Sequence, residues 1–136
     1  MPTKTFPGRF SSLSEISAFV VRAAEKAGLG SNAIYAVELA VDEAATNIIE
    51  HAYQGEEKGK ICCTFEIIPE GLQVVLQDWG IPFDPLDVPE PTINVPLEQV
   101  QSSGLGLFFM RKLMDEVRFE FSIEKGNTVT MIKKKA

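Results

Sequence analysis

Glu38-Leu39-Ala40-Val41-Asp42-Glu43-Ala44-Ala45-Thr46-Asn47 is the stretch from which the rest of the chain can be read. Ile34, Val37, Ala40, Val41, Ala44 and Ile48 recur at the spacing of one helical face. Glu43 and Asn47 stand four residues apart, so on that helix they project side by side. A carboxylate in this position can accept a proton or orient a hydroxyl, and a carboxamide offers a neutral oxygen to a hard cation such as Mg²⁺. Glu and Asn meet at this spacing by chance in many helices, so the pair takes its meaning from what surrounds it.

On the N-terminal side, residues 3–10 alternate loosely as a first strand. A helix is expected from about 12 to 27, with Ser11 or Ser12 as its cap, Glu15 at capping-box distance, and Gly28 and Gly30 at its end. Ser31 or Asn32 is then expected to cap the helix carrying Glu43 and Asn47, which ends near His51. On the C-terminal side, Ile61–Ile68 and Leu72–Asp78 read as two strands joined by Pro69-Glu70-Gly71. Residues 80–103 are rich in proline and poor in periodicity, the mark of a lid or binding loop. A glycine-opened helix is expected over 104–114, then a second hairpin from Val117–Glu124 and Thr128–Lys134 around Lys125-Gly126-Asn127. Helices and hairpins in this order predict an α+β fold, a two-layer α/β sandwich whose mainly antiparallel sheet is covered by helices on one face.

The 136 residues suit a single domain, and 45% hydrophobic with 24% charged residues is an ordinary globular composition. A net charge of −6 without a basic stripe argues against a nucleic-acid partner. No apolar run approaches the roughly 20 residues that span a bilayer, and Met1-Pro2-Thr3-Lys4 has no apolar signal core, so a cytoplasmic protein away from membranes is expected. Cys62 and Cys63 are neighbours on one strand and should face opposite ways, which disfavours a mutual disulfide. With His51 as the single histidine, a Cys/His zinc site has too few ligands.

Three segments after the helix carry further chemistry. In Asp78-Trp79-Gly80-Ile81-Pro82-Phe83-Asp84-Pro85 a strand ends on a carboxylate, and glycine lets the backbone come close to something flat. Such a carboxylate can accept a hydrogen bond from an exocyclic amine, although Asp-x-Gly is also an ordinary turn. In Ser102-Ser103-Gly104-Leu105-Gly106-Leu107, glycines open an apolar helix whose free N–H groups would suit an anion. No Lys-Ser/Thr follows, so this is not a P-loop. The third segment, Lys125-Gly126-Asn127-Thr128-Val129, taken alone is a hairpin turn. Between Lys60 and Arg111 no Lys, Arg or His occurs, yet Glu66, Glu70, Asp78, Asp84, Asp87, Glu90 and Glu98 do. A polyphosphate among these carboxylates needs compensation from a cation on Asn47, from the glycine-opened helix end, and from Arg111 or Lys112.

Taken in order, Glu-x-x-x-Asn, Asp-x-Gly-x-Pro-Phe-Asp, Gly-Leu-Gly-Leu and the hairpin turn with Thr128-Val129 resemble the GHKL ATPase superfamily. Within it, Glu38–Asn47 and Gly104–Val117 are similar to the small bacterial anti-sigma-factor serine/threonine-protein kinases of the RsbW/SpoIIAB type. The resemblance spans roughly residues 10 to 134. It implies the Bergerat ATP-binding fold, with ATP and Mg²⁺ as cofactors. By position it implies Glu43 as general base and Asn47 as the Mg²⁺ ligand. Asp78, with Gly80 and Pro82, matches the adenine side, Ser103, Gly104, Leu105 and Gly106 the phosphate side, and 85–103 the lid, with Thr128 on the last hairpin. Pro82 stands where many relatives have a second glycine, and Asn127 where many have threonine.

The kinases of this group phosphorylate a serine of an anti-anti-sigma partner and sequester a sigma factor, and they often dimerise. The resemblance therefore implies those protein partners and a possible homodimer. Histidine-kinase activity is disfavoured, because His51 sits at the end of the helix that carries Glu43 and Asn47. The competing expectation is a nucleotide-dependent protein-binding switch without phosphotransfer. It differs in leaving every partner serine unmodified.

Overall fold

The computed structural model describes residues 1–82 and 110–135. The expected lid, the Ser103-Gly104-Leu105-Gly106 turn and most of the helix expected over 104–114 lie outside the described residues; of that helix, residues 110–113 are helical. The elements in chain order are β1 (Thr3–Pro7), α1 (Leu13–Lys26), α2 (Ser31–Asn47), β2 (Lys60–Ile68), β3 (Gly71–Asp78), β4 (Glu116–Ser122) and β5 (Gly126–Lys134). The strands form one antiparallel sheet in the order β1-β2-β3-β5-β4. Both helices lie on one face of it, which is the α+β sandwich expected from the sequence. No helix among the described residues is long and apolar enough to cross a membrane.

Alternation decides which side chains meet the helices. Ile61, Cys63 and Phe65 of β2, Leu72, Val74 and Leu76 of β3, and Val129 and Met131 of β5 are buried against them. From the helix side come Ile16 and Val20 of α1 and Val37 and Val41 of α2. Ala36, Ala40 and Ala44 lie on a row of α2 at i, i+4 spacing, where small side chains let the helix approach closely. Phe19 joins Phe6 to Phe65 through two edge-to-face contacts, with centroids 6.1 and 5.3 Å apart. Each fully buried aliphatic or aromatic chain contributes about 1.5–3 kcal/mol of transfer free energy. Cys63 points into this core and Cys62 away from it, and burial pushes the Cys63 thiol up to about 12.

The element ends differ from expectation in instructive ways. The first strand stops at Pro7 rather than residue 10, because the Arg9 N–H turns back to the Pro7 carbonyl (2.9 Å) and starts a 3₁₀ turn over Phe10–Ser12. Ser12 makes no capping bond; its hydroxyl donates to the Pro7 carbonyl at 2.8 Å, tying that turn to the strand. Gly28 closes α1 as expected. At φ 81° it bonds to Glu25 O (3.0 Å) while the Leu29 N–H reaches Ala24 O (3.1 Å), the paired bonds of a Schellman motif. Gly30, not Ser31 or Asn32, flanks the start of α2, and its carbonyl accepts the Ile34 N–H at 2.9 Å.

Candidate functional site

At its C-terminal end α2 does not simply stop. After Asn47 the chain widens into one π-helical turn, Ile48–Ala52, closed by the Tyr53 N–H donating to Ile48 O at 2.9 Å. Single π turns inside helices recur at functional sites, because they re-aim the groups that follow. Here the turn delivers the Ala52 carbonyl to the Ile81 N–H (2.8 Å). The backbones approach so closely that a Cβ at Gly80 would overlap that carbonyl, so only glycine fits. Tyr53 completes the junction. Its hydroxyl donates to the Lys60 carbonyl (2.6 Å) and accepts the Trp79 N–H (3.1 Å), joining the end of α2, the start of β2 and the end of β3.

Asp78, the last residue of β3, faces Asn127 across the β3–β5 ladder. Alternation puts both on the helix-covered side, Asp78 in line with Leu76 and Asn127 in line with Val129. Asp78 is 4% exposed. Its Oδ1 accepts the Gly80 N–H at 2.9 Å and Asn127 Nδ2 at 2.8 Å. The same Asn127 nitrogen also donates to Gly80 O at 3.1 Å. Burial raises the Asp78 pKa above its ordinary value, and the bonds from Asn127 and Gly80 pull in the opposite direction.

Asp78 and Asn127 open onto a cavity of about 300 Å³. The helix side contributes Ala44, Asn47, Ile48 and Ala52, and Phe119, Phe121 and Val129 form an apolar wall from the sheet. Pro82, Met110, Glu120 and Thr128 complete the lining. An apolar slot with a few convergent polar groups at one end is the usual form of a small-molecule site.

Of the residues singled out from sequence, Asn47, Asp78, Pro82 and Thr128 therefore surround one cavity, and Gly80 bonds to Asp78 at its edge. Glu43 stands one helical turn before Asn47 and is not among the described lining residues. It is half-buried, and its carboxyl is raised by burial first, then by Asp42 and Glu50. Arg111 and Lys112 are exposed, and neither is among the described lining residues. Tyr53 was not foreseen, and Asn127 was read as a hairpin-turn residue that stands in place of threonine and can still hydrogen-bond, not as a partner of Asp78. The signal for Asn127 was present in Asn127-x-Val129-x-Met131, an inward-facing strand pattern that ends on a polar residue.

Among the described residues no three His, Cys, Asp or Glu side chains gather as a metal cage. A hard cation here would rest on the neutral oxygen of Asn47 together with ligand phosphates, a donor set that suits Mg²⁺.

Residues 6–133 match the family described as the histidine kinase-like ATPase domain. The chain is 36% identical to the serine-protein kinase RsbW of Bacillus licheniformis, with 81% of this chain and 70% of that protein covered. It is 34% identical to the RsbW of Bacillus subtilis (strain 168), again over 81% of this chain and 70% of the relative. Among solved structures it is similar to the histidine kinase domain of a blue-light activated histidine kinase from Erythrobacter litoralis. There the TM-score is 0.52, the identity 19%, and the match covers 93% of this chain and 60% of that one, a likeness of fold. The chain belongs to the histidine kinase-like ATPase family, among the serine-protein kinases of the RsbW type.

Proposed function

We propose that this protein is an ATP-dependent serine kinase that phosphorylates an anti-anti-sigma partner, sequesters a sigma factor, and works in the cytoplasm as one domain over residues 1–136. The observation that carries this reading is the cavity itself. It brings Asn47 on α2 together with Asp78 at the end of β3, with Glu43 one turn earlier on the same helix.

In this reading the purine lies against Phe119, Phe121 and Val129 with its amine toward Asp78, and Asn47 holds Mg²⁺ beside the phosphates. Bound Mg²⁺ neutralises charge on the phosphate oxygens as transfer proceeds. Glu43 orients the incoming serine hydroxyl and takes its proton. The serine oxygen bonds to the γ-phosphorus, the bond from that phosphorus to the β–γ bridging oxygen breaks, and ADP leaves. The motif resemblance assigns Ser103, Gly104, Leu105 and Gly106, which lie outside the described residues, to the phosphates. Desolvation and neighbouring carboxylates both raise the Glu43 pKa, which moves a carboxylate toward the range where it is an effective base at neutral pH.

The test is to capture partners with the tagged full chain in ATP and Mg²⁺, then map phosphate on partner serines by mass spectrometry. Transfer to a serine of a captured protein is the expected result. Tight ATP binding with every captured partner unmodified would overturn the kinase reading in favour of a nucleotide-dependent switch.

A further inference from the structure

The row of α2 that ends at the cavity begins in solvent. Tyr35, Leu39, Glu43 and Asn47 follow one another at i, i+4 spacing and form one ridge of the helix surface. Asn47 lines the cavity, and Glu43 is half-buried one turn before it. At the other end Tyr35 is 61% and Leu39 39% exposed. An amphipathic helix usually turns a polar face to water, and here two large apolar side chains stand side by side on it. The charge on this face has one sign. From Ser31 to Glu50 there is no Lys, Arg or His, while Glu38, Asp42, Glu43 and Glu50 all carry carboxyls. Ser17 of α1 donates to Glu38 Oε2 at 2.7 Å. Asp42, three residues after Leu39 and seven after Tyr35, is exposed and makes no ion pair among the described residues.

We propose that the Tyr35–Leu39–Asp42 face of α2 is where the serine-bearing protein docks, and that this partner presents an apolar side chain and a lysine or arginine beside its acceptor serine; this rests on the kinase reading above. The position of Glu43 selects the occupant. A serine hydroxyl that reaches Glu43 brings its own protein over the ridge, because Leu39 and Tyr35 stand only about 6 and 12 Å back along the axis at about 1.5 Å per residue. An interface of ordinary size centred on Glu43, about 800 Å² a side, covers both. Covering Tyr35 and Leu39 calls for apolar area on the partner. Asp42 and its neighbouring carboxyls call for a cation and repel an acidic surface. A second copy of this chain fits the face poorly, since a symmetric pairing sets the same carboxylates against each other.

The experiment measures phosphate transfer from ATP with Mg²⁺ by the full chain to two synthetic peptides. Each has one serine and the same flanking leucines; one carries lysines and the other glutamates in their place. The wild type should favour the lysine peptide in kcat/KM by roughly fivefold or more, the upper worth of one exposed ion pair. Asp42→Lys should shrink or invert that preference. Asp42 is also one of the neighbours that, after burial, raise the Glu43 carboxyl, so this variant is read as the ratio between peptides, in which a shared effect on the base cancels. Tyr35→Ala should raise KM for the lysine peptide roughly tenfold, the lower end of what covering a large apolar side chain is worth, with kcat unchanged. Its ATP affinity by calorimetry and its nucleotide-free melt should match the wild type. Equal kcat/KM on both peptides overturns the proposal, as does an unmoved ratio in Asp42→Lys or an unmoved KM in Tyr35→Ala. Transfer to a captured protein but to neither peptide also overturns it and leaves the kinase reading standing. Transfer to no serine at all means that the kinase reading itself fails, and the proposal falls with it.

Discussion

Asp78, at one end of the cavity, is a buried carboxylate among donors, whereas Glu43, on α2 one turn before the lining residue Asn47, is a half-buried carboxylate among carboxylates. Both groups titrate above their ordinary values, and in each the largest cause is burial. The second influence differs in sign. Asn127 and the Gly80 N–H stabilise the charge on Asp78, while Asp42 and Glu50 destabilise the charge on Glu43. One end is settled before any ligand arrives, which suits recognition of a base. The other holds charge that its surroundings oppose, which suits a group that must take up a proton.

Folding linkage gives the comparison a direction. A carboxyl whose folded pKa is raised binds its proton more tightly folded than unfolded. Its contribution to stability is complete below the unfolded value and is lost as pH rises through the folded one. For Glu43 this window opens at its ordinary 4.5 and extends upward. Above it, an ionised Glu43 works against the fold.

The largest expected effect follows from that. Glu43→Gln should slow serine phosphorylation by roughly 10²–10⁴-fold, the usual worth of a positioned base. Its nucleotide-free melting temperature at neutral pH should equal or exceed that of the wild type. In the wild type, kcat/KM should rise with pH through a limb above the ordinary glutamate range, and the variant should lack that limb. A variant that transfers phosphate at the wild-type rate, or that melts well below it, would erase the contrast between the two ends.

Asp78→Asn probes the settled end and should have the next largest effect. The Asn127 and Gly80 donors keep an acceptor at Oδ1, but the other oxygen becomes an amide NH2, which can only donate. ATP affinity should then fall roughly 10–100-fold, as expected when one hydrogen bond to a charged group is lost, and affinity for a 6-oxo nucleotide should rise relative to it. Calorimetry reads both.

Tyr53→Phe tests whether the two ends are held in register by the junction between them. The change leaves the Trp79 N–H and the Lys60 carbonyl without their tyrosine partner. Stability in urea should drop by about 0.5–1.5 kcal/mol, the net worth of a hydrogen bond whose partners water can still reach. ATP affinity should fall as well, because Gly80 and Ile81 are set against Ala52 by the same junction.

How far each region could be read from sequence follows from the range of its interactions. α1, α2 and the two hairpins were legible because periods of 3.6 and 2 are local properties of the chain. Cys62 and Cys63 facing opposite ways followed from the same alternation. Asn47 and Asp78 were legible as motif residues, and the fold brings them to one cavity. The capping roles of Ser12 and Ser31 were misjudged, since the Ser12 hydroxyl found the Pro7 carbonyl and Gly30 took the position before Ser31. Tyr53 was illegible for a related reason. Its partners, Lys60 and Trp79, are 7 and 26 residues away, and no local pattern encodes a hydroxyl shared between two strands.

Thr128 and Asn127 separate motif reading from strand geometry, at the smallest scale of effect. The motif favoured Thr128, because threonine is the residue that relatives often carry on this hairpin. The ladder favours Asn127, since Asp78 pairs with Asn127 and Gln77 pairs with Thr128. Thr128 lines the cavity, yet among the described residues its side chain makes no hydrogen bond to Asp78. Thr128→Ala should therefore change ATP affinity by less than about 2.3-fold, within the ±0.5 kcal/mol typical of a side chain away from special features. A loss as large as that of Asp78→Asn would mean that a ligand reaches across the strand edge to the hydroxyl. The base would then be read from both faces of β5, and the settled end would extend beyond the Asp78–Asn127 pair.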